Sequence, residues 1–167
     1  MPDVIFGGLP IVLHAGPPAQ SDAPVLGEAV VRLGLGTATK MTHFFKAGGT
    51  ISGSGWMPPG LDGLDYSQPL ELRLTSQESM TAPGLVFPLT STPRDDVAPW
   101  AQALLDGEWE RAESSFAAGV VTVEAVAGAT MYMVQWMPVY MVFASKPPKS
   151  MDPSTAAFGW QIDWQEI

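Results

Sequence analysis

The stretch GGTISGSGWMPPGLDGLDYSQPLELRLT, from Gly48 to Thr75, limits the fold more than any other part of the chain. Glycine and proline recur through it too often for a helix, since an interior glycine costs about 1 kcal/mol against alanine and a proline about 3. It ends on strict alternation, with Leu70, Leu72 and Leu74 on one side and Glu71, Arg73 and Thr75 on the other. That is the period of a strand. Between the ends, Trp56 and Met57 precede the Pro58-Pro59-Gly60 turn, and Asp62-Gly63 and Asp65-Tyr66 follow. The segment reads as a long apolar excursion over residues 48–69, rooted in a sheet.

The same period runs through most of the chain. Two short apolar runs flank Gly7-Gly8, a hairpin signal. From Glu28 to Leu35, Ala29, Val31, Leu33 and Leu35 oppose Glu28, Val30 and Arg32, the pattern of a half-buried strand. Residues 40–46, KMTHFFK, predict another strand. Residues 85–89 and 120–126 are short apolar or β-branched runs, and residues 131–143 are apolar on both faces, interrupted at Pro138. In the last strand Phe158, Trp160, Ile162 and Trp164 face in, while Gly159, Gln161, Asp163 and Gln165 face out. One helix is expected, from Val97 to Asp106. Asp96 serves as its N-cap, Pro99 lies in its first turn, and Gly107 is its stop. Val97, Trp100, Ala101, Leu104 and Leu105 form its apolar stripe. The fold expected is a single mainly β domain over residues 1–167. It is an antiparallel β-sandwich or barrel-like domain with one α-helix and a long Gly/Pro-rich loop.

Charge and residue inventory narrow the function. The chain has 167 residues and a formal charge of −9, from 17 acidic and 8 basic side chains. A surface of that sign repels phosphate backbones, so sequence-specific nucleic-acid binding is not expected. Cysteine is absent, which removes disulfides, thiol nucleophiles and Cys-ligated metals. No apolar run approaches the roughly 20 residues of a membrane helix, so membrane insertion is not expected. Asp3 and the interruptions at Gly7, Gly8 and Pro10 argue against a signal peptide.

No P-loop, HExxH, GxGxxG, EF-hand loop or GxSxG elbow occurs, so neither a cofactor nor an enzymatic activity is expected. His14 and His43 are the only histidines and read as strand or loop residues. Asp62 and Asp65 lack the regular oxygen spacing of a calcium loop and read as turn formers. Among the six tryptophans, Trp100, Trp160 and Trp164 fall on apolar faces and read as core. Trp56, in a loop that has no means of burying it locally, is either a ligand platform or an anchor in a neighbouring subunit.

Residues 40–74, KMTHFFKAGGTISGSGWMPPGLDGLDYSQPLELRL, and residues 158–167, FGWQIDWQEI, carry a resemblance over roughly a quarter of the chain. They resemble tail proteins of long-tailed bacteriophages, in particular the small distal-tail and tube proteins of noncontractile tails. The resemblance implies a β-sandwich or barrel subunit that forms a ring homo-oligomer, with long loops or arms locking neighbours. Its partners would be the tail tube, the tape measure protein and the baseplate hub. The resemblance is to a minimal version, in which the second, receptor-binding domain that some distal-tail proteins carry is not expected.

The function expected is a non-enzymatic structural subunit of the virion tail, assembled in the host cytoplasm and forming the distal ring that joins tube to baseplate. A major tail tube or tail-completion protein is the near alternative. A carbohydrate- or receptor-binding β-sandwich with Trp56 as platform is the alternative of another class. In the tail reading, Trp56, Met57, Leu61, Leu64 and Tyr66 are the inter-subunit contacts.

Overall fold

Asp106 and Gly107 decide the middle of the chain. Both have positive φ (49° and 89°), the backbone of a two-residue hairpin turn, and Asp-Gly is among the pairs that favour it. In the computed structural model, which describes residues 2–167, they join strand Trp100–Leu105 to strand Glu108–Ala112. The helix expected from Val97 to Asp106 is therefore a strand. Trp100, Ala101, Leu104 and Leu105 satisfy a helical stripe, but Ala101 and Ala103 alternate with Gln102 equally well. Both alanines are buried, opposite Val134 and Tyr132 of the next strand. Gly107 is a turn residue rather than a helix stop.

The chain is mainly β, built of antiparallel sheets, and among the described residues the only helical segments are two 3-10 turns of three residues. The single expected domain divides into two compact units, whose boundaries fall inside strands.

The first unit comprises the residues up to Ile5 and Leu72–Tyr140. Its four-stranded sheet has the order Glu108–Ala112, Trp100–Leu105, Met131–Trp136, Glu78–Ala82. A three-stranded sheet contains Ser114–Ala117, Val120–Val123 and Val86–Pro88. Phe87, Val121, Val123, Tyr132, Val134 and Trp136 fill the core against the two strand alanines. Small residues facing large ones let the layers interdigitate. Trp136 Nε1 donates to Ser91 Oγ at 2.8 Å, Ser91 donates to Glu78 at 2.6 Å, and the Tyr140 hydroxyl also donates to Glu78. The break expected at Pro138 is present: the strand ends at Trp136 and resumes as Pro138–Ala144.

The second unit comprises Phe6–Glu71 and Met141–Ile167. Ala157–Glu166 is central to it, pairing with Gly48–Gly55 from Phe158↔Gly55 to Gln165↔Gly48, with Lys149–Asp152, and with residues 142–144. Ala19–Asp22 adds to the far side of Gly48–Gly55. As the alternation predicts, Trp160, Ile162 and Trp164 are buried and Gln161, Asp163 and Gln165 are exposed. Opposite Trp160 lies Gly53, where a Cβ would sit 2.5 Å from the indole ring. The glycine-rich start of the 48–69 excursion is thus a sheet strand whose small residues admit an aromatic neighbour.

Candidate assembly surface

Residues 25–46 form a two-stranded antiparallel arm, Val25–Arg32 paired with Ala38–Lys46. Among the described residues these strands belong to no other sheet. Their register places Val25, Gly27, Ala29 and Val31 on one face with Thr39, Met41, Phe44 and Lys46. Leu26, Glu28, Val30 and Arg32 share the other face with Ala38, Lys40, Thr42 and Phe45. The register shifts at Gly27/Glu28, where the second strand carries His43 as the extra residue. This bulge is why neighbouring Phe44 and Phe45 continue the two apolar faces.

Val31, Met41 and Phe44 on one face, and Leu26, Val30 and Phe45 on the other, are all exposed, Phe45 at 69%. Polar cover is thin: Lys40 pairs with Glu28 at 2.5 Å on the second face. Inside the arm the Phe44 ring covers Gly27, and any side chain there would displace it.

At the tip, Leu33 N–H donates to Thr37 O at 2.9 Å and Gly36 N–H to Leu33 O at 3.0 Å. Arg32 donates to Gly36 O at 3.1 Å. Leu35 is fully exposed there at φ 67°, a left-handed conformation that costs a leucine roughly 1–2 kcal/mol. The root is tied down. Ala47 N–H donates to Glu166 Oε2 at 2.8 Å, Glu166 N–H to Ala47 O at 2.8 Å, and Ala23 N–H to Gly48 O at 2.7 Å. Beside the root lies an open groove of about 590 Å³, bordered by Val25, Gly49, Phe143 and Asp163.

The expected contact residues lie elsewhere in the second unit and do not form one surface. Trp56 is 63% exposed and Met57 is exposed. Leu61 is only 2% exposed, and the half-buried Tyr66 donates to its carbonyl at 2.8 Å. The Tyr66 ring lies 6.3 Å from Phe6, and Leu64 packs on Gly7. Asp62 is held by Lys149 and, at 3.3 Å, by Lys146; these hydrogen bonds, Lys149's foremost, lower its carboxyl pKa. Asp65 accepts from Ser67 N–H and Oγ at 3.0 and 2.6 Å, the turn role expected of it, and these bonds lower its pKa. The second half of the excursion therefore folds onto its own unit, leaving Trp56 and Met57 outward.

His14 stacks edge-on against Trp56, centroids 5.0 Å apart and planes at 80°. The backbone beneath is close: Met57 N–H donates to His14 O at 3.1 Å, and a Cβ at Gly16 would fall on the Ser54 backbone. His43 is the arm's bulge residue. No group of three His, Asp or Glu side chains among the described residues is placed to hold a metal ion, and no described helix is long and apolar enough to cross a membrane.

The alternation over residues 28–35 predicts a half-buried strand, whereas Val30, Val31, Leu33 and Leu35 are all exposed on the arm. The signal that marks it is apolarity at adjacent positions, Val30-Val31 and Phe44-Phe45, which places large side chains on both faces. Compared with protein-family models, curated proteins and solved structures, the chain matches none.

Proposed function

We propose that this chain is a non-enzymatic structural subunit of a bacteriophage tail, forming the distal ring that joins the tail tube to the baseplate. Its arm engages the adjacent subunit. The observation that supports this most is the apolar surface on both faces of the arm. A two-stranded hairpin alone is marginal in water, and one exposing this many large side chains gains stability by being covered. An arm reaching from one subunit to a different surface of the next is a head-to-tail contact, which generates a ring when the rotation closes. The sandwich or barrel closure implied by the resemblance, and the tube, tape measure and baseplate partners, belong to this proposal.

The test is the mass of the purified protein in solution, with negative-stain images of the same sample. Rings or stacked tubes are expected. Replacing residues 26–45 by a short glycine turn should give a folded monomer, and intact rings from that deletion would overturn the role of the arm.

A second reading is favoured by the exposed Trp56 face braced by His14, which suits stacking on a sugar ring. It expects a stable monomer whose tryptophan fluorescence responds to glycans. A silent glycan screen on a protein that forms rings would eliminate it.

A further inference from the structure

The arm and the rest of the chain differ in sign of charge. Within residues 25–46, Arg32, Lys40 and Lys46 stand against Glu28, a formal charge of +2 with His43 neutral. The whole chain carries −9, so removing the arm's +2 leaves −11 on the remainder. Surfaces of opposite sign on the same molecule fit two copies together and set which face meets which.

Strand Glu108–Ala112 supplies a surface of the opposite kind. It is the edge of its four-stranded sheet, with one side of its backbone unpaired among the described residues. Asp106, Glu108, Glu110 and Glu113 surround it against Arg111 alone, and all five are exposed. Glu108 and Glu110 face Leu105 and Ala103, placing them on the same side of the sheet as buried Ala101 and Ala112. Carboxylates turned this way repel a second copy of the same edge, a common device against edge-to-edge pairing. A cationic strand is not repelled. Ala38–Lys46, with Lys40 and Lys46 and one free backbone edge, is such a strand. Exposed Trp109 on the opposite side of the edge offers apolar cover for the arm's aromatic residues.

Resting on the arm reading above, we infer that Ala38–Lys46 of one copy adds to the Glu108–Ala112 edge of a second copy, continuing its sheet. Main-chain hydrogen bonds supply affinity in such strand addition, and charge supplies register. The arm's strands of 8 and 9 residues with their tip are of the size that one partner contributes to a standard interface, roughly 20–30 residues.

The test uses the full chain. Because it has no cysteine, Thr42→Cys with Arg111→Cys introduces one pair to be oxidised. An intermolecular cross-link forming in rings faster than with control cysteines on Glu28 and Arg111 is expected. In parallel, Lys40→Glu/Lys46→Glu and Glu108→Lys/Glu110→Lys are compared by sedimentation. Each double variant should raise the half-assembly concentration about tenfold at low salt, the two together should restore it to within about threefold, and half-molar salt should compress the difference.

Assembly lost on arm deletion, but with no preferential cross-link and no rescue, overturns the edge assignment and leaves the arm reading standing. Assembly retained after arm deletion, or a wild-type chain monomeric at millimolar concentration, overturns both.

Discussion

Arg94 is the most demanding test of how the first unit is held together. It is 2% exposed, the only charged residue among the described residues that is fully buried. Its guanidinium grips Asp96 with two parallel bonds, Nε to Oδ1 at 2.8 Å and Nη2 to Oδ2 at 2.7 Å. Nη1 donates to the carbonyls of Asp3 at 2.8 Å and Leu74 at 3.2 Å. One side chain therefore ties three segments distant in sequence. Arg94→Met keeps much of the volume and removes all four bonds. The orphaned carbonyl of buried Leu74 costs about 1–3 kcal/mol and the part-buried one of Asp3 less, whereas Asp96, with 43% of its side chain exposed, regains water. The expected loss is about 3–5 kcal/mol, from the unpaired carbonyls and the lost charge-assisted bonds together. At about 2–4 °C per kcal/mol for a chain of this length, the melting temperature falls by roughly 6–20 °C.

Asp96→Ala should cost at least as much, because it strands a buried cation beside two carbonyls. Arg94→Lys should fall between, since an ammonium lacks the fork. The pH dependence carries a sign. The Arg94 hydrogen bond holds the Asp96 carboxyl below its ordinary range. Its stabilisation is therefore present above the unfolded carboxylate pKa of about 3.9 and is lost as pH falls through the folded value. Arg94→Met should flatten that acid limb. Calorimetry and urea titration across pH 2–7 measure both effects. A variant within 1 kcal/mol of wild type at neutral pH, with an unchanged acid limb, would refute the reasoning.

Three further predictions concern the second unit. Gly16→Ala, at φ 90° and facing the Ser54 backbone, should cost roughly 2–5 kcal/mol in urea titration by tryptophan fluorescence, because backbone on backbone leaves nothing free to yield. Leu35→Gly should relieve the strained tip, leave the arm's amide-exchange protection no lower, and weaken assembly about 10–100-fold, the value of one buried leucine; unchanged assembly would place the tip outside the contact. Lowering the pH through the acid range should protonate Asp62, whose contact with Lys149 stabilises only while the carboxylate is charged, and lower the amide protection factors, taken against the intrinsic rate at each pH, at residues 61–64. Asp62→Asn should show that lowered protection already at neutral pH.

What the sequence determined by itself is whatever depends on neighbours along the chain. A period of two and the turn residues are local, so the closing strand's inward Trp160, Ile162 and Trp164, the Gly7-Gly8 turn and the break at Pro138 were legible. Local information also misled where two periods agree. The Trp100–Leu105 segment fits a helix and a strand alike, and only pairing with Met131–Trp136 and the turn at Asp106-Gly107 separated them. Burial was beyond the sequence, because it depends on what lies opposite. Val30 and Leu61 are both apolar residues near turns, yet one stands in solvent on the arm and the other is covered by its own unit. Arg94 shows the same limit: an arginine in a polar stretch became a buried clamp because residues 3, 74 and 96 converge on it. Alternation specifies that a strand has two faces, and only the tertiary structure decides which of them, if either, is covered.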